Sequence, residues 1–236
     1  LHLCDRRQRQ MCIRDRYKFW GFYDETADKR YQTEYGRPIA DHGMTLAPGD
    51  AVFVDLNGDG VLNGDDATRD IGFTDIPEYT AGLNLGFSWK NFDFSMQWTG
   101  AWNVDRMLSE FRRPLGDTNS KALLLYQYET TWRSSEDTFT AKFPRASNSH
   151  ASNNYRGTDL YLINASYLRL KNVEIGYNFD FPFMKKMKLD NCRLYINGYN
   201  LLTITGFDWG DPESRQSDRP NYPLTRVFNI GLKVGF

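Results

Sequence analysis

The chain has 236 residues, with 29 Lys and Arg against 30 Asp and Glu for a formal net charge of -1, and is 40% hydrophobic and 15% aromatic. That is too apolar for a disordered chain, and near-neutral charge with scattered Lys and Arg leaves no footprint for nucleic acid. No window approaches the roughly 18 uninterrupted apolar residues of a spanning helix. A mean hydropathy of -0.62 still leaves a membrane β-barrel open, because its strands alternate lipid-facing and lumen-facing side chains.

Leu1 to Arg16 (LHLCDRRQRQMCIRDR) has no helix or strand periodicity and lacks the apolar stretch of a signal peptide. It resembles a translated sequencing-adaptor tail and is set apart as non-native. Without its five Arg and two Asp, 24 basic and 28 acidic residues remain, a formal net charge of -4. The native protein is expected to continue upstream. Cys4, Cys12 and Cys192, with His2, His42 and His150, form no CxxC or HxxxH spacing, so no zinc site or disulfide framework is expected. Cys192 reads as a buried thiol and two of the histidines as solvated.

Residues 17–80 read as an extracellular loop region containing one strong local motif. In Asp55 to Asp66 (DLNGDGVLNGDD), Asp55, Asn57 and Asp59 stand at positions 1, 3 and 5 of a calcium loop. Gly60 takes the sharp turn at 6, the Val61 carbonyl falls at 7, Asn63 at 9, and Asp66 replaces the usual Glu at 12. Alternate residues of such a turn aim oxygens at one centre, which suits a hard cation; the shorter Asp66 predicts weaker binding of the extracellular type. An Asx-rich turn closed by its own backbone hydrogen bonds fits the same residues. No flanking helix pair is evident, which argues against a calcium sensor.

From Ala81 the period is two. Leu83, Leu85, Phe87 and Trp89 share one face and Asn84, Gly86 and Ser88 the other. After Lys90-Asn91 the alternation resumes with Phe92, Phe94, Met96 and Trp98 against Asp93, Ser95 and Gln97, which predicts a β-hairpin. Tyr167 to Phe179 alternates with a change of phase near Lys171-Asn172, the sign of a β-bulge. Arg193 to Leu202 is a fourth strand and Phe228 to Phe236 a fifth.

The connections alternate short and long: Lys90-Asn91, then Asn103 to Ala165, then Asp180 to Asp190, then Thr203 to Leu224. Membrane barrels have short periplasmic turns and long extracellular loops, whereas compact soluble domains rarely carry a loop beyond about 15 residues. Trp89 and Phe92 flank the hairpin turn, and Trp98 and Trp102 lie near its open end, as in two interfacial girdles. Inside the first long loop, Lys121 to Trp132 has helical spacing and predicts a short helix. A secreted, calcium-stabilised β-sandwich that binds carbohydrate fits the same alternation if the apolar face is a core. No catalytic residue is indicated; acidic pairs such as Glu136-Asp137 read as solvated loop charge rather than a glycosidase dyad.

Gly49 to Gly60, Asp66 with Ile71-Gly72, and Pro77-Glu78-Tyr79 before the hairpin together resemble the C-terminal part of SusC/RagA-type TonB-dependent outer-membrane transporters of Bacteroidetes. Ser166 to Tyr177 is similar to a signature of that family, and Asn200 to Thr203, Asp211 to Glu213 and Tyr222 to Arg226 are similar to its closing segment. The resemblance implies an all-β antiparallel membrane barrel of 22 strands, of which residues 81–236 supply about the last five. It implies import of oligosaccharides or peptides across the outer membrane, with a SusD-like lipoprotein lid and with energy from the TonB complex through an N-terminal region absent from this chain. Phe236 resembles the terminal signal read by the barrel-assembly machinery. Lumen-facing Asn84, Ser88, Asp93, Gln97 and Lys233 are expected to form a wet wall among strands bordered by outer-membrane lipid. Trp209 and Tyr222 are candidates to stack on substrate, and Asp208 and Asp211 to accept its hydroxyl hydrogen bonds.

Overall fold

The computed structural model describes residues 15–108, 125–147, 149–180, 191–208, 210–214 and 224–235. In chain order it contains β1 (Phe19–Phe22), α1 (Ala27–Tyr35), β2 (Ala51–Phe53), β3 (Tyr79–Trp89), β4 (Phe92–Trp102) and β5 (Asp105–Met107), then α2 (Leu125–Thr130), α3 (Ala151–Asn154), β6 (Leu162–Asn164), β7 (Tyr167–Phe179), β8 (Asn191–Thr205) and β9 (Val227–Gly235). The chain divides into two compact units. Of the described residues, the first comprises 15–75, 106–108, 125–147 and 149–163, and the second 76–105, 164–180, 191–208, 210–214 and 224–235.

The second unit is one antiparallel sheet in the order β3-β4-β7-β8-β9. Lys90 and Asn91 close the hairpin, with Lys90 at φ +53° and its ammonium 4.8 Å from the centroid of the Trp89 ring. Strands of nine to fifteen residues are long enough to cross a bilayer, for which about 9–11 suffice. Antiparallel register puts directly paired residues on one face, so each rung of the ladder has one character. Phe87, Phe94, Ile175, Ile196 and Ile230 form one rung, and Trp89, Phe92, Tyr177, Leu194 and Leu232 the next apolar one. Between them lies Ser88, Asp93, Gly176, Tyr195 and Gly231.

The predicted bulge is present. Gln97 pairs with Asn172 and Trp98 with Leu170, which leaves Lys171 as the extra residue. Leu170 and Val173 are an odd number of positions apart, and only an inserted residue lets both face the apolar side. On the facing strand β8 the register passes over Asn200 and Leu201, and Asn200 takes φ +53°.

Among the described residues nothing covers the apolar face of this sheet. β3 is exposed along its whole length, and Phe228 and Ile230 retain 71% and 76% of their surface. A two-layer sandwich would bury these side chains against a second sheet. This unit is therefore an open antiparallel sheet rather than a two-layer sandwich. Cys192 shares the phase of Leu194 and Ile196 on that face and is half-buried, not buried as the sequence suggested.

The first unit has an ordinary core. β1 pairs with β2, and Ala40, Ala51, Phe53 and Leu62 cluster with Tyr17 and Phe19 packed against them. Tyr31 of α1 and Tyr161 are fully buried. Helix α1 ends at Gly36, whose φ of +70° is the left-handed cap that glycine adopts freely and whose N–H donates to the Gln32 carbonyl. Arg16, the last residue of the segment set apart as a tail, is buried and exchanges backbone hydrogen bonds with Thr68 at 2.9 Å. Residues 1–14 lie outside the described residues. The helix expected over Lys121 to Trp132 is observed at Leu125–Thr130; Lys121 to Leu124 lie outside the described residues.

His42, one of the histidines open to a solvated reading, is 4% exposed. Its Nδ1 lies 2.8 Å from the Ala40 carbonyl, so Nδ1 carries the proton, and Nε2 accepts from the Phe53 N–H at 3.2 Å. Burial holds its pKa below the ordinary 6.5 despite the Ala40 carbonyl, which pulls the other way.

Candidate functional site

The polar face of the second unit's sheet carries two clusters of charge. In the first, Arg193 on β8 reaches across β7 to Asp93 on β4, donating through Nε at 3.1 Å and through Nη2 to the second carboxylate oxygen, while Nη2 also donates to Glu174 Oε1 at 2.7 Å. The path is open because the intervening residue is Gly176: a Cβ there would sit 2.6 Å from Asp93 Oδ2 and would also strike the guanidinium. On the same rung Tyr195 lies over Gly231, whose position a Cβ would close. The wall continues sideways. Asn178 Nδ2 donates to Asp93 Oδ1 at 3.0 Å, Asn197 Nδ2 to Glu174 Oε2 at 3.4 Å, and Asn229 Nδ2 to Asn197 Oδ1 at 2.9 Å. Gly176 and Gly231 are thus where Arg193 and Tyr195 cross neighbouring strands.

The second cluster surrounds Arg169 on β7, whose side chain is 3% exposed. Nη2 donates to Asp211 Oδ1 and Nη1 to Glu213 Oε2, both at 2.7 Å, and Nε donates to Thr203 Oγ1 at 3.0 Å. Lys171, the bulge residue, adds a contact to Glu213 Oε1 at 3.4 Å. Asp211 also accepts the Glu213 N–H at 2.9 Å, which folds the segment after β8 into a turn. One buried guanidinium therefore pins this segment to the sheet.

Of the expected lumen residues, Asp93 stands in the first cluster, and Lys233 pairs in register with Arg193. Asn84 and Gln97 face one another, as do Ser88 and Asp93. Among the candidates for substrate contact, Asp208 is exposed, whereas Asp211 is committed to Arg169. Trp209, Tyr222 and Phe236 lie outside the described residues. Arg169, Glu174, Arg193 and Asn197 were not singled out from the sequence, although Glu174, Arg193 and Asn197 occupy the polar phase of their strands.

In the first unit, the 55–66 loop is closed by its own side chains. Asp55 is fully buried and accepts the N–H groups of Gly58 at 2.6 Å and Gly60 at 3.0 Å. Asp66 is fully buried too, accepting from Leu56 at 2.8 Å and from Asn63 at 2.9 Å. Asn57 and Asp59 are exposed; Asn57 Oδ1 accepts the Asp59 N–H, and Asp59 Oδ1 accepts the Val61 N–H at 2.8 Å. The Val61 N–H and the Asn57 amide hold the Asp59 carboxyl below the usual carboxylate range. Among the described residues no group of three or more His, Cys, Asp or Glu side chains converges on a point that could hold a metal. Arg37 donates through Nη2 to the Asp55 carbonyl.

A second buried hub sits at Asp50, which is 0% exposed. It accepts from Arg145 Nε at 2.7 Å, His150 Nδ1 at 2.7 Å, Asn154 Nδ2 at 3.0 Å and the Ala47 N–H at 2.8 Å. Burial alone would raise its pKa, but the Arg145 bond, the Ala47 and Asn154 donors and the Arg145 charge outweigh it and the net shift is downward.

No protein-family model matches the chain. It is 31% identical over 206 residues to the TonB-dependent receptor P3 of Formosa agariphila, an overlap of 80% of this chain and 19% of that protein. It is 25% identical over 205 residues to the TonB-dependent receptor SusC of Bacteroides thetaiotaomicron, covering 86% of this chain and 18% of SusC. A structure of the RagAB peptide importer in its open-open state superposes over 94% of this chain and 22% of its own, with a TM-score of 0.63 at 19% identity. The chain spans about a fifth of the length of the relatives it matches.

Proposed function

The chain belongs to the SusC/RagA-type TonB-dependent receptors, and we propose that it forms part of the barrel wall and outer loops of an outer-membrane importer of oligosaccharides or peptides. The observation that carries this is the two-faced sheet: five strands of spanning length, apolar rungs without a covering layer, and a polar face built from Asp93, Glu174, Arg193 and Asn197. In lipid the first face is solvated by acyl chains, and the second lines water. The chain acts as a conduit rather than a catalyst; its relatives are named as receptors and importers. In this reading a SusD-like lipoprotein covers the outer opening, and the TonB complex supplies the energy for import.

Asp208, with Trp209 and Tyr222, is proposed to contact substrate on the outer side, while Asp211 holds the segment in place through Arg169. Phe236 is proposed to serve barrel assembly. Calcium at Asp55, Asn57, Asp59, Val61 and Asp66 is a further part of the proposal and rests on residue type and spacing. Both oxygens of Asp55 and of Asp66 already accept N–H groups, so a cation would share these carboxylates through their remaining lone pairs. Terbium luminescence sensitised by the protein, competed by calcium and lost in Asp55→Asn, is the expected result; no saturable signal at millimolar ion would contradict it.

The import reading is tested by deleting the gene in its host and measuring uptake of labelled glycan and peptide mixtures. We expect loss of uptake of one substrate class, with the protein in the outer-membrane fraction. Unchanged uptake of every class, or recovery of the protein as a soluble species, would overturn it.

A further inference from the structure

The first unit holds a cavity of about 430 Å³ lined by Pro48, Tyr128, Trp132, Arg133 and Arg145 among others, within the size range of small-ligand sites. Its aromatic wall is fixed. Gly49 takes φ +87°, and a Cβ at that position would come within 2.5 Å of Trp132 Cδ2, so the indole packs directly on glycine backbone. Trp132 Nε1 donates to Thr138 Oγ1 at 3.3 Å, and the Trp132 N–H donates to the Phe143 carbonyl at 2.9 Å.

Two guanidinium groups share this cavity. Arg145 is anchored through Nε to the buried Asp50 at 2.7 Å and through its backbone N–H to the Gly49 carbonyl at 2.8 Å. These contacts leave both terminal nitrogens of Arg145 without a protein acceptor among the described residues. Asp50 is divided between Arg145, His150, Asn154 and the Ala47 N–H, so it meets only part of the Arg145 charge. Arg133 lies over the Tyr128 ring at 5.3 Å from its centroid, and its Nε is 3.8 Å from Asp137. No carboxylate is among the described lining residues.

A cavity with Arg145 held on Asp50, the half-exposed Arg133 over the Tyr128 ring, a rigid indole and no acid among its described lining residues is matched by an anion carried on a flat or cyclic body. Guanidinium forks take carboxylate oxygens in pairs, and the aromatic ring takes the apolar face of a sugar or side chain. We propose that this cavity is a binding subsite for a carboxylate, borne either by a uronate residue of a glycan or by the C-terminus of a peptide. The assignment deepens the import reading and rests on it for the origin of the ligand.

The test uses the full-length receptor in detergent, with tryptophan fluorescence and isothermal titration as readouts. The probes are a glucuronate-terminated oligosaccharide and its glucose counterpart, and a tripeptide free acid and its amide. We expect one acid to bind at least roughly tenfold more tightly than its neutral counterpart, and Arg133→Gln to remove that preference, as loss of a charge-assisted pair would. Preference for the uronate assigns a glycan source, and preference for the free-acid peptide a peptide source. Arg145→Gln should act likewise, but it also removes a partner of Asp50; Arg133→Gln, checked for an unchanged melting curve, keeps the test decisive. Equal binding of acids and neutral counterparts, no binding of either acid, or wild-type selectivity in Arg133→Gln would overturn the subsite. Uptake in the host tests the import reading independently, since this titration requires neither TonB nor a membrane.

Discussion

Replacing Arg169 with Ala leaves Asp211, whose side chain is 8% exposed, without its cationic partner, and releases Glu213, which is 38% exposed. Removing one member of a buried pair costs about 3–5 kcal/mol because the remaining charge stays desolvated, whereas exposed pairs are worth about 1 kcal/mol or less. The two arms should therefore differ. A double-mutant cycle of Arg169→Ala with Asp211→Ala is expected to give a coupling of roughly 2–3 kcal/mol, and the cycle with Glu213→Ala under about 1 kcal/mol. Urea unfolding of the receptor in detergent micelles gives the free energies, and limited proteolysis of the segment after β8 reports its release from the sheet. Equal couplings for the two acids, or an Arg169→Ala protein as stable and as protease-resistant as wild type, would refute the view that one buried guanidinium pins the segment.

Two further outcomes follow from particular residues. His42 has a folded-state pKa held below 6.5 by burial, so the unfolded chain takes up a proton first as pH falls; the first unit should keep full stability above about pH 6.5 and lose it progressively below. Urea midpoints followed by tryptophan fluorescence at pH 7.5 and 5.5 check this, and a midpoint that does not fall, or a fall that persists unchanged in His42→Gln, would contradict it. Deleting Lys171 should remove the bulge and leave Leu170 and Val173 two positions apart, so that both halves of β7 keep their faces. Heat-modifiable mobility on gels should then be retained, and its loss, which deletion from an unbulged strand would cause, would refute the assignment of the bulge.

The second unit was legible in the sequence because its organisation is local. Period-two alternation gave Leu83 to Trp98 as a hairpin, and the change of phase at Lys171-Asn172 gave the bulge, since both are written within a few residues. What lay further apart was not legible. Arg169 meets acids 42 and 44 positions away, and Asp50 meets donors 95 to 104 positions away; single-sequence periodicity carries no information on such pairings. The first unit read as loop because its core uses short strands and buried polar hubs rather than long alternation. Helix α1 left a readable signal at its end, Gly36 after Tyr35, which went unused. The burial of His42 is recognisable only from the Ala40 carbonyl and Phe53 N–H that satisfy its ring.

In the proposed barrel, one face of the β3–β9 sheet meets lipid and the other water. Single cysteines placed in turn from Asn84 to Ser88 and from Leu194 to Asn197 in the full-length receptor, assembled in outer membranes, test it most directly. Labelling by a membrane-impermeant maleimide should alternate, strong at Asn84, Gly86, Ser88, Tyr195 and Asn197 and weak at Leu85, Phe87, Leu194 and Ile196, with a lipid-soluble reagent giving the inverse. Uniform labelling by the aqueous reagent, or protection of both faces, would contradict it.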